Sequence, residues 1–234
     1  MNYAIIAAGE GSRLVQEGVA LPKPLVQLCG QPMIKRLIDI FLQCNAQSLS
    51  VIVNEQMTQV REYLESLSFP VPFNLVVKST PSSMHSFYEV SRKFAADGKF
   101  VLTTVDTIFR ADDFRRYVEA FESDSSADGY MGVTSYIDDE KPLYIDVDSQ
   151  MKITAFRDTP SGSDRYISGG IYGLDSRALE VLARCVEGGV SRMRNYQRAL
   201  VDEGLSLRAY PFSKIIDVDH AADILTAEKF ILQK

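Results

Sequence analysis

Residues 3–14 read YAIIAAGEGSRL: five positions of strand-like apolar character, then Ala8, two glycines framing Glu10, then a lone arginine, Arg13. A glycine pair after a strand permits positive φ and close approach, so it can bring backbone N–H groups against an anion. The same pair also makes an ordinary tight turn. Two familiar phosphate motifs fail here. A dinucleotide fingerprint needs a third glycine where this chain has Leu14, and no G-x-x-x-x-G-K-[ST] run is present. What remains is a strand, a short glycine loop and a guanidinium that can hold phosphate oxygens bidentately.

Working outward, further apolar runs of strand length stand at LSVIV (49–53), FNLVV (73–77) and FVLTT (100–104). Helical patterns lie between them. Met33, Leu37, Ile40, Phe41 and Cys44 share one face of a helix over 33–44, and similar patterns cover Met57 to Leu67, Met84 to Ala95 and Asp112 to Phe121. This alternation predicts βαβ units on a mostly parallel sheet. After Asp128 the texture changes to successive strand-like runs, YMGVTSY, PLYIDVD, MKITAFRD and RYISGGIYGL, which predict an antiparallel or mixed section. Helical patterns return at Ser176 to Val186 and Arg192 to Glu203, followed by strands LSLRAYPF and IIDVD and a final helix from about His220. No linker, repeat or low-complexity tract interrupts residues 1–234, which predicts a single domain.

Composition narrows the function classes. A chain of 234 residues with 46% hydrophobic and 24% charged residues can bury a sizeable core. Its formal net charge of −6 argues against a nucleic-acid partner, because that binding needs a basic surface to release counterions. A small anionic ligand needs only a few local cations. Three scattered cysteines and two histidines offer neither a disulfide framework nor a His-rich metal cluster. No apolar run approaches a membrane span, and the start MNYAIIAAGEG lacks the features of a signal peptide, which predicts a cytoplasmic protein.

Two later stretches carry chemistry. In Pro22-Lys23-Pro24-Leu25 two prolines restrict the backbone around one lysine and fix where its ammonium points. Asp106 ends the apolar run FVLTTV, and Asp217 follows KII, both at carboxyl ends of predicted strands, where open α/β sheets gather ligands. Carboxylates there can hold Mg²⁺, which prefers oxygen ligands and shares substrate phosphates. Asp219, directly before HAADILTAEKF, reads as a helix N-cap, so Asp217 is the preferred metal ligand.

AAGEGSRL, PKPLVQLCGQPMI, VDTIF, ISGGIYGL and IIDVDHAADI, in this order between residues 4 and 224, resemble the nucleotidyltransferase family of GT-A-like enzymes. The resemblance implies a three-layer α/β/α fold, Rossmann-like and GT-A-like, around a mixed, mostly parallel sheet. It implies transfer of a nucleoside monophosphate from an NTP to a sugar phosphate, with Mg²⁺ as cofactor and pyrophosphate as product. Gly9, Gly11 and Arg13, with Ala7, Ala8 and Ser12, would cradle the triphosphate; Lys23 would neutralise charge at the α-phosphate; Asp106 and Asp217 would hold the metal. Where many sugar-1-phosphate members carry a Gly-Thr-Ala stretch against the base, this chain has Lys78 to Ser86, which offers Lys78, Ser82 and Ser83. Where they carry Glu-Lys-Pro against the acceptor it has Phe156 to Pro160, so Arg157, together with Gly169 and Gly170, is the candidate on the acceptor side. The SSMHSFYEV segment is similar to the choline-phosphate cytidylyltransferase branch, which keeps phosphocholine or a phosphonate open as acceptors. The rival readings are a GT-A glycosyltransferase, whose D-x-D motif is here Asp106-Thr107-Ile108, and a non-catalytic nucleotide sensor.

Overall fold

The computed structural model describes residues 1–94, 98–138, 140–162 and 165–233. Strand β1 (Asn2–Ala7) leads through the glycine loop into a short helix α1 (Ser12–Gln16), a 3-10 turn at Lys23–Leu25, and the paired strands β2 (Gln27–Leu28) and β3 (Gln31–Pro32). Then follow α2 (Met33–Gln43), β4 (Ser48–Val53), α3 (Thr58–Glu65), β5 (Phe73–Val77), α4 (Ser83–Ser91), β6 (Phe100–Thr104), β7 (Thr107–Ile108) and α5 (Ala111–Ser123). The second half runs β8 (Gly129–Thr134), β9 (Tyr144–Val147), β10 (Ile153–Arg157), β11 (Tyr166–Leu174), α6 (Ser176–Glu187), α7 (Met193–Asp202), β12 (Leu207–Pro211), β13 (Ile216–Asp217) and α8 (Ala221–Leu232).

Among the described residues one mixed sheet carries the fold. Its path is β10-β9-β11-β6-β1-β4-β5, with β8 on the other edge of β11 and β12 beyond it. Strand β1 pairs parallel with both β4 and β6, so the chain winds outward through β4 and β5 and then returns to the opposite side of β1. That reversal is a topological switch point, and the crevice beyond the strand ends there is where such sheets bind ligands. Alternate residues of β1 serve opposite faces. Tyr3, Ile5 and Ala7 pack with α2, α3 and α5, while Ala4 and Ile6 pack with α4, α6 and α7. The predicted three layers are therefore present, each face closed by its own core. Fully burying a side chain such as Ile5 contributes about 1.5–3 kcal/mol, which is why a strand buried on both faces reads as a continuous apolar run.

One feature of the sheet positions the site. Strand β6 flanks Ile171 to Leu174 of β11, and β9 flanks Tyr166 and Ile167 on that same edge. The register of β11 against β8 shifts between Ser168 and Ile171, a β-bulge placed at the changeover from one neighbour to the other. A gap opens there, beside the end of β6.

Several short elements carried no readable periodicity: α1, β2, β3 and β7 are too brief for a repeat to show. The helix expected over Met84 to Ala95 is described for Ser83–Ser91, and Ala95 lies outside the described residues. The strand expected at IIDVD shrinks to Ile216–Asp217, because Val218 N–H donates to the Asp106 carbonyl (3.1 Å) and bends away from the ladder. No helix among the described residues is long and apolar enough to cross a membrane.

Candidate active site

Two cavities meet at the carboxyl end of β6. A glycine-loop cavity of about 570 Å³ is lined by Ala8, Gly9, Gly11, Ser12, Arg13 and Lys23 on one side and by Asn54, Thr80, Ser82, Ser83 and Ser86 on the other. An α7 cavity of about 320 Å³ is lined by Ser168, Gly170, Tyr172, Arg192, Arg194 and Gln197, with Lys141 and Asp217. Ser83, Thr104, Asp106 and Asp219 belong to both linings.

The ion pairs at this junction explain the first two motifs. Lys23 Nζ lies 2.5 Å from Asp106 Oδ2 and 2.6 Å from Asp219 Oδ1, with its side chain only 9% exposed. Arg13 Nη1 donates to Asp219 Oδ2 (2.8 Å), and Arg13 Nη2 lies 3.4 Å from Glu140. Burial by itself would lower the Lys23 pKa, but Asp106 and then Asp219 outweigh it and hold the ammonium above its ordinary value. Burial likewise pushes the Asp106 carboxyl up, and the Lys23 ammonium outweighs that, so Asp106 sits below the usual carboxylate range. Both groups stay charged. Gly11 makes this approach possible: it has φ 61°, and a Cβ there would lie 2.8 Å from the Lys23 Cβ.

The two metal-ligand candidates lie together. Asp217 faces Thr107 in the β13–β7 ladder, one residue from Asp106, and Thr107 Oγ1 lies 3.5 Å from Asp217 Oδ1. Thr107 in turn shares a 2.6 Å hydrogen bond with Thr104. Gly170 admits that threonine pair, since at φ 71° a Cβ would come within 2.5 Å of Thr107 Oγ1 and 2.7 Å of Thr104 Oγ1. Among the described residues no group of three His, Cys, Asp or Glu side chains forms a protein-only cage. Two hard carboxylates opening onto a shared cavity fit a Mg²⁺ that keeps waters and takes substrate phosphates as further ligands.

Five expectations need correction. Asp219 is not the N-cap of α8; His220 is, with Asp223 accepting from both the Asp219 and His220 N–H groups, so the Asp219 carboxylate is free to face Lys23 and Arg13. Arg157 points away from this junction, pairing with Asp146 (2.6 Å) across the β9–β10 hairpin, and it lines a separate cavity. Gly169 lines neither of these cavities: a Cβ there would sit 2.2 Å from Ile215 Cδ1, and the residue opens instead onto a third cavity with Asp217 and Asp219. Lys78 lines neither cavity: its ammonium pairs with Glu89 of α4 (2.8 Å). Ala7 also turns into the core at 1% exposure, while Ala8 is the first residue of the loop to line the cavity.

Other residues escaped the sequence reading. Asn54, directly after β4, accepts from Gln56 N–H and Ser79 Oγ, both at 3.0 Å, through Oδ1 and lines the cavity. Its signal was a polar residue ending the run LSVIV beside the central strand. Arg192 caps α7 at φ 74°, ψ 139°, a region nearly reserved for glycine, and its N–H donates to Ser82 Oγ (3.2 Å). Among the described residues the Arg192 guanidinium makes no hydrogen bond or ion pair. Arg194 is held by Asp158 (2.5 Å) and the Lys141 carbonyl (2.9 Å). A readable hint was the run GGVSRMR, two arginines at a helix start after a glycine pair.

An open α/β sheet with a glycine loop, a buried lysine and strand-end aspartates at its switch point is an arrangement suited to phosphate-bearing ligands. The sequence model described as "Nucleotidyl transferase" matches residues 3–234, and the chain belongs to that family. It is 21% identical over 251 residues to the bifunctional protein GlmU of Methanococcus vannielii, covering 100% of this chain and 55% of that protein. The chain thus spans about 55% of the length of the curated relatives it first matches. The fold superposes on the inositol-1-phosphate CTP transferase from T. maritima with a TM-score of 0.80 at 16% identity, covering 99% of this chain and 98% of that one. For a putative glucose-1-phosphate thymidylyltransferase from Bacillus anthracis the TM-score is 0.84 at 23% identity, covering 98% and 94%.

Proposed function

We propose that residues 1–234 form one nucleotidyltransferase domain that transfers a nucleoside monophosphate from an NTP to a sugar phosphate and releases pyrophosphate. The observation that carries this reading is the junction itself: Lys23, Asp106 and Asp219 stand where the glycine-loop cavity and the α7 cavity meet. A glycosyltransferase would leave the clamped lysine without a task, and a sensor would not need two adjoining cavities around one buried charge cluster. The names of the relatives, GlmU and two sugar- or cyclitol-phosphate enzymes, favour a sugar phosphate over phosphocholine.

In this reading Gly9, Gly11, Ser12 and Arg13 grip the triphosphate, and Asn54, Ser82 and Ser83 face the nucleoside. Phosphate oxygens exchange with Asp219 for Arg13 and Lys23, so Lys23 meets the α-phosphate already charged. Arg192 receives the acceptor phosphate, whose oxygen attacks the α-phosphorus in line while pyrophosphate leaves. The acceptor is already an anion, so no protein nucleophile is required, and catalysis is positioning plus electrostatic stabilisation of the transition state. Asp106 and Asp217 would hold Mg²⁺, which supplies Lewis-acid neutralisation of phosphate charge when bound. The test is pyrophosphate release from each NTP with Mg²⁺ and a panel of hexose 1-phosphates. Release with at least one pair is expected; none from any pair refutes the reading.

A further inference from the structure

The inward face of α7 is formed by Met193, Tyr196, Gln197 and Leu200. Helical spacing calls for an apolar residue at each of these positions, yet the third is a glutamine. It is 2% exposed. Ser168, on the β11 bulge, donates from Oγ to Gln197 Oε1 at 3.0 Å, which leaves the two N–H donors of Nε2. Among the described residues Nε2 makes no hydrogen bond, and Gln197 lines the α7 cavity beside Ser168 and Tyr172. Thr103 Oγ1 is the one fully enclosed side-chain polar atom without a partner among the described residues, so the Gln197 donors open onto the α7 cavity rather than into the core, where a leucine would offer a ligand no donor.

We infer that Gln197, oriented by Ser168, selects the acceptor by donating an N–H to a hydroxyl of a sugar or cyclitol phosphate. The inference rests on the nucleotidyltransferase reading and deepens it. Arg192 lies five residues before Gln197 on the same helix, roughly 7 Å along its axis. An acceptor whose phosphate meets Arg192 therefore extends its ring toward the amide. A trimethylammonium head has no lone pair for that donor and would leave it unpaired. It also prefers a cage of aromatic faces, whereas the α7 cavity has Tyr172 as its one aromatic lining residue among those described.

The experiment compares wild type with Gln197→Met, similar in volume and without donors, and Ser168→Ala. Acceptors are a hexose 1-phosphate, its monodeoxy analogues, an inositol 1-phosphate and phosphocholine. KM and kcat come from pyrophosphate release, and calorimetry measures acceptor binding in the presence of an α,β-methylene NTP analogue. Wild type should bind the hydroxylated acceptors at least about tenfold more tightly than phosphocholine. Gln197→Met should raise their KM about tenfold, with kcat and NTP KM unchanged; Ser168→Ala should do so about threefold. The deoxy analogue that lacks the hydroxyl read by Gln197 should bind wild type and Gln197→Met equally. Preference for phosphocholine, equal loss for every acceptor and analogue, or an unaltered acceptor KM in Gln197→Met overturns the inference. If no acceptor yields pyrophosphate but hexose phosphate binding still weakens in Gln197→Met, the transfer reading falls and the selectivity stands. Turnover with unchanged KM in Gln197→Met gives the opposite result.

Discussion

Lys23 and Arg192 reach the junction of the same two cavities in opposite electrostatic states. Lys23 is buried and clamped between two carboxylates on an unstrained, proline-fixed turn. Arg192 sits on strained backbone, and its guanidinium has no partner among the described residues. Under the proposed function, the difference gives two ways of keeping a cation ready for phosphate. One neutralises it internally, so that the ligand must exchange with a carboxylate; the other holds it unpaired at a conformational cost. They should therefore fail differently, one with the fold and one against it.

The largest effect is expected from Lys23→Met. It strands the Asp106 carboxylate at a largely buried site, which should destabilise the protein by about 3–5 kcal/mol and lower kcat by about 10²–10³. Combining it with Asp106→Asn should restore much of the urea midpoint and none of the activity. Recovery of turnover in the double variant would reduce the lysine to a structural part.

Arg192→Gly should separate the two properties in the other direction. Losing a charge-assisted contact should raise acceptor KM about tenfold to a hundredfold, while relief of the strained φ should stabilise the fold by about 1 kcal/mol. A lower urea midpoint would show that Arg192 is held for stability, and the contrast with Lys23 would collapse.

The glycines sharpen the same contrast. Gly170→Ala meets the Thr104 and Thr107 hydroxyls at a positive φ and should cost about 1–3 kcal/mol. A Cβ at Gly9 has nothing within 4 Å, so Gly9→Ala should leave stability within about 0.5 kcal/mol. It should still raise NTP KM, because the added carbon enters the glycine-loop cavity.

The smallest effect concerns pH. His220 Nδ1 lies 2.6 Å from Glu17, and Glu140 and Asp223 also face the ring. The hydrogen bond to Glu17 raises the His220 pKa above its ordinary value, and the bond to His220 lowers that of Glu17. A raised histidine stabilises fully below its unfolded pKa of about 6.5 and loses that contribution as pH rises through the folded value. Glu17 works the other way, stabilising above the ordinary carboxylate range and losing this in acid. Urea midpoints should therefore decline slightly from pH 6 to 9, and Glu17→Gln should flatten that slope. An unchanged slope would show that the α1–α8 tie does not report on His220 charge.

Much of the glycine-loop side was legible, because its chemistry is local in sequence. The loop from Ala8 to Arg13 and the PKPL turn each place their groups through neighbouring backbone restraints, and both line the glycine-loop cavity. Asp106 and Asp217 were legible as strand ends. Of the α7 cavity, Asp217 and Gly170 were named from the sequence, but Arg192, Arg194 and Gln197 were not. Arg157 and Lys78 occupy plausible positions in the chain but are drawn to Asp146 and Glu89, acids that the hairpin and the α4 packing bring to them. Asp219 looked like a cap because the sequence does not show that Asp223 already serves the backbone there.

The amino-acid sequence by itself determined the layered α/β architecture, the glycine loop, the fixed lysine and the two strand-end carboxylates, since apolar periodicity, glycine and proline restrict the backbone within a few residues. Only the tertiary structure decided which charges meet. Asp219 closes on Lys23 across 196 positions, and Ser168 reaches Gln197 across 29. Such pairings depend on sheet order, on the β11 bulge and on the docking of α7. Those are set by packing across the whole core, and no local pattern encodes them.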